Sequence, residues 1–378
     1  MKITPFAVEQ WMNAYETKCR YNLAETCVES LTIAELLDIA GQRNSILDEL
    51  LPLKMTYGAI EGSDRLRAAI AALYGSQTAK NVLVTHGAIG ANSLVYQALV
   101  GAGDRVVCIV PTYQQHYSIP ESLGADVKRL PLRAENGYLP DPEELRRLAL
   151  PGTKLIAFSN PNNPTGSLMN RSLLDEIVRI AASVGAYVLS DEVYRGTTQE
   201  GDALTPSMAD LYPRGISTGS MSKAFSLAGF RLGWICGPSE VLRAAEIHRD
   251  YNTISVGMLD DVFSAIALEN QHKILARSRR LVRENLAALD LWMQSQDALS
   301  YVKPRAGTVT LLHYAFDLDS QDFCVRLLEE TGVLFTPGSA FELEGCVRIG
   351  YANSPAILAD GLRLTSGFIR KLMAQRGR

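Results

Sequence analysis

"STGSMSKAFSLAGFRLGW", residues 217–234, sets one lysine, Lys223, among Ser220, Ser222, glycines and apolar side chains, with Arg231 eight residues further on. A lysine in an apolar run is ordinarily a surface side chain that extends its ammonium into water. The other reading is a lysine held for chemistry, desolvated until the neutral amine attacks a carbonyl and forms a Schiff base. What surrounds this stretch decides between them.

The segment begins with "GISTGS", a short apolar run of the kind that recurs upstream as "NVLVT", "RVVCIV", "KLIAFSN" and "AYVLSDE". Between these runs lie helical patterns such as "DRLRAAIAALYG", which stops at Gly75, "GANSLVYQALVGAG" and "RSLLDEIVRIAASVG". Buried strands alternating with helices predict an α/β fold, its mostly parallel sheet covered on both faces. Ligands of such sheets bind beyond the carboxyl ends of the strands. After "HRDYNTIS" one long helical pattern covers about residues 260–295, and "VTLLHYAF", "FCVRLLEE" and "CVRIGYA" then predict an α+β unit with a small antiparallel sheet.

With 378 residues, two domains are expected. A hydrophobic share of 47%, 21% charged residues and a net charge of −4 describe an ordinary globular chain. Lysine and arginine are dispersed, so no nucleic-acid partner is expected. The six cysteines are irregularly spaced and form no C-x-x-C pair or Cys/His cluster, so no metal is expected and buried thiols in a reducing compartment are. Without a signal-type apolar run or an 18-residue apolar span, the expected location is cytoplasmic and away from membranes.

Three further features stand where the sheet argument places a site. "SNPNNPTG", residues 159–166, is a tight turn directly after a strand, and its asparagines offer amide donors there. In "SDEVYRG", residues 190–196, Asp191 reads either as a helix cap or surface acid, or as a buried carboxylate paired with a protonated ring nitrogen. In "VTHGAIGANS", Gly87 opens a helix directly after a strand, and free N–H groups at that helix start suit a phosphate. Lysine, acid, asparagine turn, helix start and arginine together match a ligand with an aldehyde, a basic ring nitrogen, a phenolic oxygen and a phosphate. Pyridoxal 5'-phosphate has all four.

The chain resembles the class I/II aminotransferases of the aspartate aminotransferase fold type (fold type I) over nearly its full length. "YGAIEGSDRLRAAIA", "PTY", "NPNNPTG", "DEVY", "SMSKAFSLAGFRLGW", "TPGSAF" and "VRIGYA" occur in that family's order and at about its spacing. The resemblance implies a seven-stranded-type sheet sandwiched by helices in a large cofactor-binding domain at 45–265. A small domain would be built from 1–44 and 266–378.

It also implies that Lys223 forms the internal aldimine and shuttles a proton at the substrate Cα, and that Asp191 keeps the ring nitrogen protonated. Tyr194 and Asn163 would bond the ring oxygen, and Tyr113 would stack on the ring. The phosphate would be held by the Gly87 turn, the N–H groups of Ala88 and Ile89, Ser220, Ser222 and Arg231. Tyr57 matches a tyrosine that reaches the neighbouring subunit's phosphate, which makes the active unit a homodimer. Arg348 matches the arginine that holds the substrate α-carboxylate, with Asn163 beside it. By the same resemblance Asn163–Pro164 is a cis peptide. His86 and His116 are expected to be structural, since Lys223 already carries the proton.

One departure bears on the substrate. The family commonly has a glycine-containing turn near the N-terminus, whereas this chain reads "YNLAETCVESLTIAEL". Glu25 and Thr26 stand about where the glycine would be. Glu25 is either a solvated loop acid or a side chain entering the pocket and favouring a cationic or polar amino acid. Together with "HRDYNTIS", this turn is similar to a subgroup that includes capreomycidine synthase, an enzyme that eliminates and cyclises on an arginine derivative.

The expected activity is ping-pong transfer of an amino group from an L-amino acid to a 2-oxo acid. The alternatives are a lyase or cyclase working by β- or γ-elimination, and a non-catalytic cofactor-sensing regulator. The last would need a basic DNA-binding module ahead of "YGAIEG", where the sequence is short and not basic.

Overall fold

Residues rich in Val, Ile and Leu with no polar alternation form strands only where both sheet faces are covered. The computed structural model, which describes residues 2–376, builds them into a seven-stranded sheet. Across the sheet the order is Val82–Thr85, Gly233–Cys236, Gly215–Ser220, Tyr187–Asp191, Thr153–Ser159, Arg105–Val110 and Asp126–Pro131. All neighbours are parallel except Gly233–Cys236, which runs against both of its partners. One side is covered by an apolar layer around Ile109, Ile156 and Val188, the other by Val106, Leu155 and Leu189 with the helix Gly87–Leu99. Met1, Gly377 and Arg378, which fall within the expected small-domain segments, lie outside the described residues.

The register gathers the strands' carboxyl ends along one edge. Ser159 pairs with Asp191, Asp191 with Thr218, and Ser220 with Gly233. Because Gly233–Cys236 is reversed, its first residue lies at that same edge, opposite both Ser220 and Thr85. The segment from Lys223 to Arg231 is the connection that turns the chain around there, ending with Arg231 in the left-handed region at φ 48°.

A second sheet of four strands, ordered Thr336–Pro337, Cys346–Gly350, Val309–Tyr314 and Leu299–Tyr301, is antiparallel throughout. Its core, which includes Phe323, Phe335, Ile349 and Tyr351, also takes Trp11, Leu23 and Val28 from the N-terminal segment. Leu36 and Leu37, by contrast, pack with Leu66, Trp234 and Phe263.

The long helical pattern expected over 260–295 is two helices, Met258–Glu269 and Gln271–Met293. Asn270 leaves helical geometry between them, its side-chain amide donating to the Ile266 carbonyl at 3.0 Å. The helix expected to reach Gly75 spans Asp64–Ala71, after which the N–H groups of Gly75 and Ser76 donate to Asp210. Among the described residues no helix is long and apolar enough to cross a membrane.

Candidate active site

At the carboxyl edge a cavity of about 370 Å³ opens between the two sheets and the N-terminal segment. Ala88, Ile89, Tyr113, Asn163, Asp191, Tyr194, Ser220, Ser222, Lys223, Arg231, Arg348, Glu25 and Thr26 all line it. Two expected residues do not. Gly87 sits just behind the lining, and Tyr57 lies outside it with 78% of its surface exposed.

The helix Gly87–Leu99 starts directly at the end of its strand, with Gly87 at φ 66° and no side chain capping the first turn. Its leading N–H groups therefore lack intrahelical partners and face the edge. Gly233 allows this approach: a Cβ there would stand 2.3 Å from the Gly87 carbonyl carbon and 2.5 Å from the Ala88 nitrogen. The Arg231 guanidinium closes the cradle, 3.3 Å from where a Gly87 Cβ would be and bonded to Ser222 Oγ at 3.5 Å.

Asp191 is 4% exposed. Its Oδ2 accepts from the Asn92 amide at 2.8 Å and its Oδ1 from the Val193 N–H at 3.2 Å. Asn92 is itself fixed by Thr218, whose hydroxyl donates to Asn92 Oδ1 at 2.7 Å. Asp191 is thus a buried carboxylate and not a surface acid. His116 lies beneath it, Nε2 3.6 Å from Asp191 Oδ2 and Nδ1 2.8 Å from the Tyr96 hydroxyl.

Lys223 Nζ donates to Thr26 Oγ1 at 2.5 Å and to Cys27 Sγ at 3.4 Å. Burial alone pulls its ammonium down, yet Cys27, Tyr194 and Glu25 outweigh that and hold it above the ordinary lysine value. Of the three, Glu25 is the neighbour charged at neutral pH, because burial pushes the Cys27 thiol up to about 11 and the Tyr194 phenol up as well. Desolvation of Lys223 is thus opposed by the groups around it, Glu25 among them.

That carboxylate arrives with the N-terminal segment, which lies along the strand bearing Arg348. Gly350 N–H donates to the Leu23 carbonyl at 2.7 Å, a contact so close that a Cβ on Gly350 would stand 1.8 Å from the Glu25 carbonyl oxygen. Glu25 folds back onto its own turn, accepting from the N–H groups of Thr26 and Cys27 at 2.6 and 2.8 Å. Burial raises its carboxyl, but Lys223 and these N–H donors overcome that and leave it below the usual carboxylate range.

Arg348 is 2% exposed and has no carboxylate partner among the described residues. Its Nη1 donates to Asn163 Oδ1 at 3.1 Å, while Nη2 donates to the Ala24 carbonyl at 3.0 Å and Thr336 Oγ1 at 3.1 Å. Its Nε has no partner, and burial lowers the pKa of the guanidinium. Charges are rarely buried unpaired, so this arrangement suits an incoming anion. The X–Pro bonds Val110–Pro111, Asn160–Pro161 and Asn163–Pro164 are cis, the last as the resemblance implied.

Asn92, Glu9, Glu16 and Cys27 also line the cavity and were not singled out in the sequence. Asn92 had a signal, an amide among the small and apolar residues that open a helix at a strand end. The two glutamates had none, because tertiary contacts alone bring the N-terminal helix Ala7–Tyr15 here: Tyr113 donates its hydroxyl to Glu9 at 2.7 Å and packs against Phe6.

A buried carboxylate, a cavity lysine, amide and phenol groups and a phosphate-type cradle fit pyridoxal 5'-phosphate by chemical class. Residues 52–360 match the family described as aminotransferase class I and II. Capreomycidine synthase from Streptomyces vinaceus is 30% identical over 362 residues, 95% of this chain and 92% of that protein. Aspartate/prephenate aminotransferase from Thermus thermophilus is 29% identical over 324 residues, 82% of each. A PLP-dependent aminotransferase structure from Streptococcus suis superposes with a TM-score of 0.95 at 41% identity, covering 98% of this chain and 99% of that one. The chain belongs to the class I and II aminotransferase family of pyridoxal 5'-phosphate enzymes.

Proposed function

We infer that the protein moves an amino group from an L-amino acid to a 2-oxo acid by a ping-pong route. The observation that carries this reading is the placement of Arg348, buried and without a carboxylate, in the same cavity as Lys223 and Asp191. When bound there, the cofactor supplies an electron sink for the charge left on the substrate Cα.

In this reading Lys223 Nζ would hold the cofactor and carry the proton at the substrate Cα. Asp191, oriented by Asn92, would hold a ring N–H. Asn163 and Tyr194 would bond the ring oxygen, and Tyr113 would pack against the ring. The Gly87 turn, the N–H groups of Ala88 and Ile89, Ser220, Ser222 and Arg231 would hold the phosphate, since helix-start donors favour a dianion. Arg348 receives the α-carboxylate through paired N–H donors, with Asn163 alongside. The proposed active unit is a homodimer in which the exposed Tyr57 reaches the neighbouring phosphate site. The exposed apolar side chains Leu51 and Met55 near Tyr57 suit burial between subunits. The free cysteines suit the reducing cytoplasm.

Steady-state kinetics with donor and acceptor varied together tests the route. Parallel double-reciprocal lines are expected, and intersecting lines would contradict it. A second reading, elimination with ring closure, is supported by the similarity to capreomycidine synthase and by Glu25 lining the cavity. Its mark is turnover of a single amino acid without any 2-oxo acid.

A further inference from the structure

Among the described residues the hydrogen-bond partners of Lys223 Nζ are Thr26 Oγ1 and Cys27 Sγ, neighbours on one turn of the N-terminal segment. The same turn is bonded to the lysine's main chain, Val28 N–H donating to the Lys223 carbonyl at 3.3 Å. Two residues before Thr26, the Ala24 carbonyl accepts from Arg348 Nη2 at 3.0 Å. The stretch 24–28 thus meets both the cavity's lysine and the arginine that suits a carboxylate.

Thr26 is fixed from two sides. Its N–H donates to Glu25 Oε1 at 2.6 Å, and its carbonyl accepts from the hydroxyl of the buried Thr308 at 2.6 Å. A β-branched side chain on a fixed backbone has few rotamers, so its hydroxyl is set in advance. A hydroxyl can accept from Nζ while turning its own proton to another group, and the Tyr194 phenol is the neighbour within its reach. A glycine at this position, as in the turn common to the resembled family, would offer no such acceptor.

In the proposed reading Nζ is bonded to the cofactor for one part of the cycle and free for the other, when it carries the Cα proton. A lysine has a long flexible stem, and a free amine on it loses its place unless something holds it. The bond to Thr26 is donated by Nζ, so it is open to the free amine. We propose that Thr26 is a positioning residue, whose hydroxyl catches the Lys223 amine when it is free of the cofactor and keeps it beside a substrate bound on Arg348. This rests on the amino-transfer reading given above, and it gives the N-terminal turn a role toward the lysine and not toward the donor's side chain.

The test uses Thr26→Val, which keeps the shape and removes the hydroxyl, and Thr26→Ser, which keeps the hydroxyl. In the cofactor-free full chain, acetylation of Lys223 by acetic anhydride at fixed pH is followed by mass spectrometry of its peptide. The rate should be about threefold or more higher in Thr26→Val than in the wild type, and close to wild type in Thr26→Ser. The holoenzymes are then compared with whichever common L-amino acid best converts the wild-type cofactor, cofactor absorption and thermal melts reporting that each variant is folded. Thr26→Val should lower kcat about tenfold with KM kept within about twofold, and Thr26→Ser should recover kcat. The isotope effect from a Cα-deuterated donor should grow in Thr26→Val, because a poorly held amine makes the proton step slow. Equal acetylation rates, an unchanged kcat, or a loss confined to KM overturns the proposal, the last making Thr26 a substrate contact. If no amino acid aminates the wild-type cofactor, the amino-transfer reading fails, and the acetylation rates alone still decide whether Thr26 holds Lys223.

Discussion

The Asn92 side-chain amide donates to Asp191 Oδ2 at 2.8 Å while its carbonyl accepts from Thr218. The acid that meets the ring nitrogen in the proposed reading is thus pinned from a helix lying on a different strand-to-helix connection. Replacing Asn92 by Leu leaves a buried carboxylate oxygen and the Thr218 hydroxyl without partners, a cost of about 1–3 kcal/mol. Cofactor affinity should fall roughly tenfold, measured by titrating the apoprotein with pyridoxal 5'-phosphate. Unchanged affinity would show that Asp191 is held without Asn92.

Arg348 should act on the donor and not on the cofactor. Arg348→Gln removes a charged donor pair, so KM for the amino donor is expected to rise about 10- to 100-fold. The cofactor's absorption should stay as in the wild type. Arg348→Lys should recover only part of the loss, since an ammonium cannot make the paired contact. A variant with unaltered KM would remove Arg348 from the substrate site.

Gly233 and Gly229 make a matched pair on the two sides of Arg231. A Cβ on Gly233 meets backbone atoms of Gly87 and Ala88, whereas one on Gly229 meets nothing within 4 Å. Gly233→Ala should destabilise the fold by about 1–3 kcal/mol and weaken binding of the cofactor phosphate. Gly229→Ala should do neither. Thermal melts of the two variants, with and without inorganic phosphate, decide the point.

Much of this site was legible because its residues follow strand ends directly. Lys223, Asp191, Asn163 and the Gly87 turn each lie within a few residues of an apolar run, so local sequence fixes both the strand and what comes after it. Arg231 was legible for the same reason, although the reversal of Gly233–Cys236, which brings it back to the edge, was not. Glu9 and Glu16 stayed hidden because their position depends on contacts such as Ala7 N–H to the Gln114 side chain, over a hundred residues away. The break at Asn270 was obscured because the apolar periodicity continues across it. The surroundings of Lys223 stayed hidden in part because Cys27 and Glu25 reach it only through the N-terminal turn.

That turn also gives Glu25 a defined pH dependence. Its carboxyl lies below the ordinary value of 4.5 in the fold, with burial opposing the effect and Lys223 and two N–H donors producing it. A depressed folded value contributes stability that is present above about 4.5 and lost as pH falls through the folded value. In the cofactor-free protein, the thermal midpoint of the wild type should exceed that of Glu25→Gln near neutrality, and the gap should close on acidification. A gap independent of pH would mean that the Glu25 charge does not stabilise the turn.

The most direct measurement is the absorption spectrum of the purified holoenzyme as amino donors are added singly, followed by a 2-oxo acid. Amino transfer predicts that a suitable donor converts the cofactor stoichiometrically to its aminated form, with release of the donor's 2-oxo acid, and that the added 2-oxo acid restores the original spectrum. Consumption of the donor with ammonia or a ring-closed product, and no aminated cofactor at any stage, would contradict it and leave elimination as the chemistry of this site.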